Sequence, residues 1–287
     1  MISFLLRVAI LLVIAFAYAM FDIFNKRNVP DVFVYASLII GVIVTLTYDT
    51  ATMEVSLLMA LIIGALGYVL FRKGLVGAGD FFEFATISLL LPLQPMPILS
   101  NVQQFGFPFI FSVFIATGYA AVVGMVVYYL LRAHSRGYLR LSELSRAKLY
   151  QAFGMFVAYL LLLAFISYFA GIRLVAVVLI LIVALASALT IIFEKAISRQ
   201  MISYVSASRL TNEDMIATNA MSKSDLEFFS KKSKHFGRLV TNKLIQDLRG
   251  VRRKIPLYTS GVPLAFFAFI AVVVSLLFGN ILLYVII

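Results

Sequence analysis

The chain alternates long apolar runs with short polar breaks. Runs near residues 3 to 23, 31 to 48, 54 to 71, 81 to 99, 106 to 131, 149 to 169, 172 to 193 and 262 to 286 each approach the roughly 20 apolar residues that a membrane-spanning helix needs. The pattern predicts an all-α polytopic membrane protein of about eight transmembrane helices. The fourth run is unlike the others: Pro92, Pro95 and Pro97 are expected to break its helix before the far interface, because each lacks a backbone N–H and clashes with the preceding turn. One extended polar stretch, Lys195 to Pro256, separates the seventh and eighth runs. Within it, Ser224-Asp225-Leu226-Glu227 reads as a serine cap followed by an acid, Thr241 to Leu248 as a short helix ended by Gly250, and Met201 to Val205 as a short strand. The pattern divides the chain into a transmembrane core (1–131), a basic loop with two further spans (132–194), a small polar appendage (195–256) and a last span (257–287).

Composition supports the membrane reading. Of 287 residues, 63% are hydrophobic and 13% charged, and the mean hydropathy of +1.04 exceeds what a soluble chain of this length hides from water. The absence of cysteine excludes disulfide frameworks, thiolate zinc sites and cysteine nucleophiles together. A net charge of +11 raises the question of nucleic acid, but no nucleic-acid motif is present. The basic residues flank or lie between the apolar runs, where topology accounts for them.

Those residues orient the spans. With the N-terminus outside, all 24 Lys and Arg residues except Arg7 and Arg173 fall on the cytoplasmic side, including Lys26, Arg27, Arg72, Lys73 and those from Lys195 to Lys254. Both termini are then external, and the appendage faces the cytoplasm with a basic surface suited to anionic headgroups. The alternative for the first run is a signal peptide, since Ala17-Tyr18-Ala19 has the small-x-small form of a cleavage site. The length of the run and the Lys26-Arg27 pair behind it favour a retained span.

An ionisable side chain inside a span is costly and therefore a functional candidate. Asp22 closes the first run and Asp80 opens the fourth, so the predicted topology places both at the cytoplasmic face. Two neighbouring carboxylates do not both ionise easily. One then acts as base on a water while the other, still protonated, polarises a carbonyl, which is peptide hydrolysis without metal or cofactor. Gly77 and Gly79, just before Asp80, are expected to permit positive φ and close approach of an extended peptide. The plainer reading of the same stretch is a loop with Asp80 as a helix cap. Glu83, one helical turn beyond Asp80, is read as a further cap.

Two separated motifs give this chain a family resemblance. Asp22-Ile23-Phe24-Asn25-Lys26-Arg27-Asn28-Val29-Pro30-Asp31 is similar to an aspartate followed by Arg-x-Ile-Pro-Asn, with Val29 and Asp31 as departures. Gly77-Ala78-Gly79-Asp80 is similar to the second, GxGD, motif, although Phe81, Phe82 and Glu83 replace the polar residues that commonly follow it. In order, separation and membrane side the pair resembles the GxGD aspartyl membrane proteases, specifically the prepilin peptidase family and its archaeal prepilin and preflagellin peptidase branch. The resemblance implies Asp22 and Asp80 as the catalytic pair, with Gly77, Gly79, Arg27 and Pro30 supporting the motifs or binding substrate. It implies as substrates the precursors of type IV pilin-like subunits or archaellins, cut at the cytoplasmic face to remove a short basic leader. It also implies a six-helix core, to which spans six and seven would be an added hairpin. Bacterial members often carry a cysteine-based zinc site and methylate the new N-terminus, so a chain without cysteine is expected to cleave without methylating.

Other features have plainer readings. His134 and His235 lack ligand spacing and are expected to be solvated. Tyr128, Tyr129, Tyr138 and Tyr150 are read as interfacial anchors, and Gly64, Gly67, Gly118 and Gly124 as close helix contacts. Pro263, in Gly261-Val262-Pro263-Leu264, suits a first helical turn. The competing function is a proton- or cation-coupled secondary transporter using the same two carboxylates. Such groups are expected near the bilayer midplane and with repeat symmetry, which this chain lacks.

Overall fold

The computed structural model describes residues 2–25, 29–48, 52–73, 77–91, 108–138, 145–170, 174–212, 214–258 and 263–279. Each apolar run holds a helix: α1 (Ile2–Phe24), α2 (Asp31–Tyr48), α3 (Met53–Arg72), α4 (Ala78–Leu90), α5 (Ile110–Ser135), α6 (Arg146–Ala170), α7 (Leu174–Ile192) and, last in the chain, α11 (Leu264–Phe278). The polar stretch holds α8 (Glu194–Met201), β1 (Ile202–Ser206), α9 (Lys223–Lys232), α10 (Asn242–Asp247) and β2 (Lys254–Tyr258). Four described helices, α1, α3, α5 and α6, are long and apolar enough to cross a membrane. A fifth span arises if α7 and α8 count as one helix bent by 77°. The protein is thus a helical multi-pass membrane protein with four to five helices of spanning length, against the eight expected.

The shortfall has a clear cause at α4. This helix stops at Leu90, and Leu91 is extended at φ −77° and ψ 124°, the conformation that a following proline imposes on its neighbour. Pro92, Pro95 and Pro97 themselves lie outside the described residues. The last carbonyls of α4 are thereby left inside an apolar bundle, where an unsatisfied group costs several kcal/mol. Arg7 supplies the donors. Its Nε donates to the Leu90 carbonyl at 2.7 Å, and one terminal nitrogen donates to those of Leu89 at 2.8 Å and Leu91 at 3.2 Å. Thr45 Oγ1 on α2 donates to Leu89 as well, at 2.6 Å. Arg7, which stands apart from the topological pattern, is 4% exposed and caps a helix C-terminus.

Around that point α4 packs against α1, α2, α3 and α11, and α11 lies between α1 and α5. Their shared core includes Leu11, Ile14 and Tyr18 from α1, Phe84 and Ile87 from α4, Val113 from α5, and Ala265, Ala268 and Val272 from α11. Small residues on α11 let its backbone approach closely. The far side of α5 carries α7 and α8, with α6 packed on α7.

Two of the four glycines expected at helix contacts are found there. A Cβ at Gly67 would overlap the Phe81 side chain of α4, and one at Gly124 would overlap the Phe267 ring of α11. Gly64 and Gly118 face open space instead, with nothing within 4 Å of an added Cβ.

In the polar stretch, β1 and β2 pair antiparallel, Ile202 opposite Tyr258 and Ser206 opposite Lys254. A separate core of Ile216, Phe229, Val240, Leu244, Leu248 and Ile255 lies beneath them. The cap of α9 is Ser222, not Ser224: its Oγ accepts from the Asp225 N–H at 3.1 Å. The Ser222-x-x-Asp225 spacing meets the same capping rule two residues earlier. Helix α10 starts at the Thr241 cap, and Gly250, soon after its end, has φ +84°. Tyr129 is fully buried rather than an interfacial anchor, and its carbonyl accepts from Gln200 Nε2 of α8 at 3.0 Å. Tyr128, Tyr138 and Tyr150 are exposed, as are both histidines.

Replacing Arg7 with leucine removes the guanidinium donors from the Leu90 and Leu91 carbonyls and leaves Leu89 with Thr45, and is expected to destabilise the folded protein by about 3 kcal/mol or more, read from denaturant unfolding in detergent. Gly67→Ala is expected to cost about 1–3 kcal/mol through overpacking against Phe81, with partial recovery in the Gly67→Ala/Phe81→Ala double variant. In the same assay Gly64→Ala is expected to be neutral or slightly stabilising.

Candidate active site

The site is built where α1 and α4 run antiparallel. One end of their register is fixed by Arg7 against Leu89 to Leu91. Its middle is fixed by Tyr18, whose hydroxyl lies 2.8 Å from Ser37 Oγ of α2, which in turn lies 3.4 Å from Thr86 Oγ1 of α4. From the Tyr18–Thr86 level, Asp22 is about 6 Å further along α1, and Glu83 and Asp80 are about 4.5 and 9 Å back along α4, at a rise of about 1.5 Å per residue. Asp22, Glu83 and Asp80 therefore belong to the same end of the bundle. Glu83 is within electrostatic reach of both aspartates.

Asp22 is buried at 6% exposure, and its surroundings were not readable from local sequence. Its Oδ2 accepts from the backbone N–H groups of Ala265 at 3.1 Å and Phe266 at 3.4 Å. These are among the first free donors of α11, more than 240 positions along the chain. The N-terminus of the last helix thus presents donors and the positive end of its dipole to the Asp22 carboxylate, stabilising negative charge there. Pro263, just before the helix, is where the chain enters this contact. A proline followed by an apolar run marks such a helix start in sequence, but nothing local indicates which carboxylate it serves.

Asp80 is half-buried in the first turn of α4, and its Oδ2 accepts from the Gly77 N–H at 3.2 Å. The capping geometry is therefore present. It does not conflict with chemistry, because a cap also fixes the carboxylate at the helix mouth. Gly77 has φ −70° and ψ 150°, and Gly79 lies within the helix, so neither adopts the expected positive φ. Their lack of side chains serves close approach instead. A Cβ at Gly77 would sit 3.0 Å from Asp80 Oδ2, and one at Gly79 would sit 3.3 Å from Cγ2 of Val29. The segment after Asp22 thus rests directly on the turn that carries Asp80, and the two motifs meet. Pro30 is half-buried and begins α2, its carbonyl accepting from Phe33 and Val34. Arg27 lies outside the described residues.

Glu83 does not act as a cap. It is fully buried, and neither carboxylate oxygen has a hydrogen-bond partner among the described residues. Among the described residues no group of three His, Cys, Asp or Glu side chains has the arrangement of a metal site.

The structure thus brings Asp22, Glu83 and Asp80 to one end of a helical bundle. Residues 9–124, which contain both aspartates, match the model of the type IV leader peptidase family. No curated protein and no solved structure matches the chain.

The Asp22–α11 contact generates a stability prediction separate from activity. Asp22→Asn keeps one acceptor but removes the charge facing the helix dipole, and is expected to lower stability by about 1 kcal/mol. Thermal unfolding in detergent checks this, with Ser275→Ala on the same helix as a control that leaves the α11 N-terminus untouched.

Proposed function

We propose that the protein is an endopeptidase that removes the short basic leader from type IV pilin-like or archaellin precursors at the cytoplasmic membrane face, with Asp22 and Asp80 as its water-activating pair. The observation that carries the reading is the packing of Val29 on Gly79. It holds the Asp22 segment against the Asp80 turn although the two aspartates are far apart in sequence. The basic residues Arg72 and Lys73, exposed at the end of α3 just before that turn, support a cytoplasmic placement of this end by the positive-inside rule.

In this mechanism one aspartate, as carboxylate, takes a proton from water as the water oxygen attacks the scissile carbonyl carbon. The other, as carboxylic acid, donates its proton to the carbonyl oxygen. Collapse of the tetrahedral adduct breaks the C–N bond: the proton held by the first aspartate passes to the leaving nitrogen, and one hydroxyl proton of the adduct returns to the second aspartate as the new carboxyl forms. The backbone donors on Asp22 and Asp80 hold each carboxyl in place before substrate arrives, which limits reorganisation during the reaction. Methylation of the new N-terminus is not part of the proposal, because the chain has no cysteine for the zinc site that accompanies it in bacterial relatives.

Asp22→Asn and Asp80→Asn are each expected to reduce leader cleavage by at least about 10³-fold, since each removes half of an acid–base pair that acts as a unit. The measurement is loss of leader mass from a pilin precursor and from an archaellin precursor, incubated with the protein in liposomes. Cleavage near the wild-type rate by either variant excludes the pair. Failure of the wild type on both substrates would favour the transporter.

A further inference from the structure

We propose that Glu83 is a third carboxyl of the site, holding the proton that the Asp22–Asp80 pair needs and releasing it to the pair when substrate arrives. The role rests on the proposed peptidase reading. Three geometric observations support it. Glu83 is fully buried on the face of α4 that meets the bundle, one turn from Asp80. Asp22 and Asp80 lie at the same end of the bundle as Glu83, about 6 and 9 Å from the Tyr18–Thr86 level against about 4.5 Å for Glu83. The distribution of donors is unequal: two α11 N–H groups address Asp22 and the Gly77 N–H addresses Asp80, while no donor reaches Glu83 among the described residues.

A carboxylate without donor or cation in an apolar interior is strongly disfavoured, whereas a carboxylic acid there is tolerable. The other titratable group in reach of Glu83 is Tyr18 on α1, whose hydroxyl is engaged with Ser37. Helix α11 carries no ionisable residue, and the ionisable residues of α2 and α3 are Asp31, Tyr35, Tyr48, Glu54, Tyr68 and Arg72. None of these forms a hydrogen bond or ion pair with Glu83. Packing alone does not account for a glutamate here, because leucine or phenylalanine would fill the position without a desolvation cost. In the resting arrangement the two aspartates are held as acceptors and the proton resides on Glu83.

The transfer is internal. The O–H bond at Glu83 breaks as one forms on an aspartate oxygen, the total charge of the three groups is unchanged, and the reverse step after product release restores the resting state. Glu83 is in this sense a positioning residue: it acts through the pair and does not touch the substrate.

Glu83→Gln keeps the shape and neutrality of the acid but has no proton to lend. It is expected to lower kcat about tenfold, less than the roughly 10²–10⁴-fold of a group that transfers a proton to substrate because Glu83 acts through the pair, with KM little changed and the pH optimum moved to more acid values, where solvent can load the pair. Glu83→Asp, which retains a titratable group, is expected to recover part of the rate. A purely structural role predicts wild-type kcat and pH profile for the isosteric glutamine, and that result overturns the proposal.

A second readout needs no substrate. Infrared difference spectra of wild type minus Glu83→Gln at neutral pH are expected to contain the C=O stretch of a protonated carboxyl, shifting in deuterated water. If the glutamine variant does not fold, the wild type minus Glu83→Asp spectrum serves, with a displaced band expected. A difference containing carboxylate bands alone overturns the assignment, and it does so whether or not the protein cleaves pilin precursors.

Discussion

The early end of α4 is the constraint on which the rest of the bundle depends. A helix that stops partway through an apolar core leaves carbonyls that lipid cannot satisfy, and the fold meets this with a buried guanidinium and a threonine hydroxyl. That solution fixes the α1–α4 register. Arg7 has to reach Leu89 to Leu91, and with the two helices antiparallel, Asp22 then arrives beside the opening turns of α4. A distance set at one end of the pair is transmitted as placement at the other, because a helix is stiff over some 20 residues and advances about 1.5 Å per residue. The chemistry at the Asp80 end thus depends on an arginine at the far end.

The parts of this arrangement that sequence reveals are those with a local cause. Apolar runs locate the helices, the prolines after Leu91 explain where α4 stops, and Asp22 and Asp80 are conspicuous because ionisable groups are rare at span ends. Motif order adds a family resemblance, and the family model matches residues 9–124. Contacts between distant segments are not written locally. Arg7 reads as an ordinary flanking cation until its partners are known. The α11 N-terminus reads as a proline-started helix with no indication that it faces Asp22. Among the glycines, composition marks four candidates for close contact, but rotation about each helix axis decides that Gly67 and Gly124 touch a neighbour while Gly64 and Gly118 do not. Span number is legible only in part for a related reason: hydropathy reports apolar length, whereas helix length also depends on where backbone hydrogen bonding is interrupted, and among the described residues four to five helices reach spanning length.

The two motifs carry different kinds of information. Gly77-Ala78-Gly79-Asp80 specifies a turn in which a carboxylate folds back on its own backbone and a neighbouring chain comes within van der Waals contact. The Asp22 segment supplies that neighbour through Val29. The departure from isoleucine at this position shortens the side chain by one methylene, and the packing against Gly79 remains tight at 3.3 Å from an added Cβ. Here the glycine accommodates the protein itself. Any approach of a peptide backbone to Asp80 has to use space other than that occupied by Val29.

Three carboxyl groups at one end of an apolar bundle present an electrostatic problem with few solutions. Insertion costs of about 2.5–3.5 kcal/mol per charged residue at mid-bilayer, smaller near the interface, have to be offset or avoided. Helix N-termini offset them in part for Asp22 and Asp80, since free N–H groups and a helix dipole stabilise an anion. Backbone donors hold a carboxyl less firmly as an ion than a full cationic charge would, so on the proposed acid–base reading they leave it able to change state. The placement of α11 is therefore more than packing: its N-terminus brings backbone donors to a carboxylate carried by the first helix, more than 240 positions earlier in the chain.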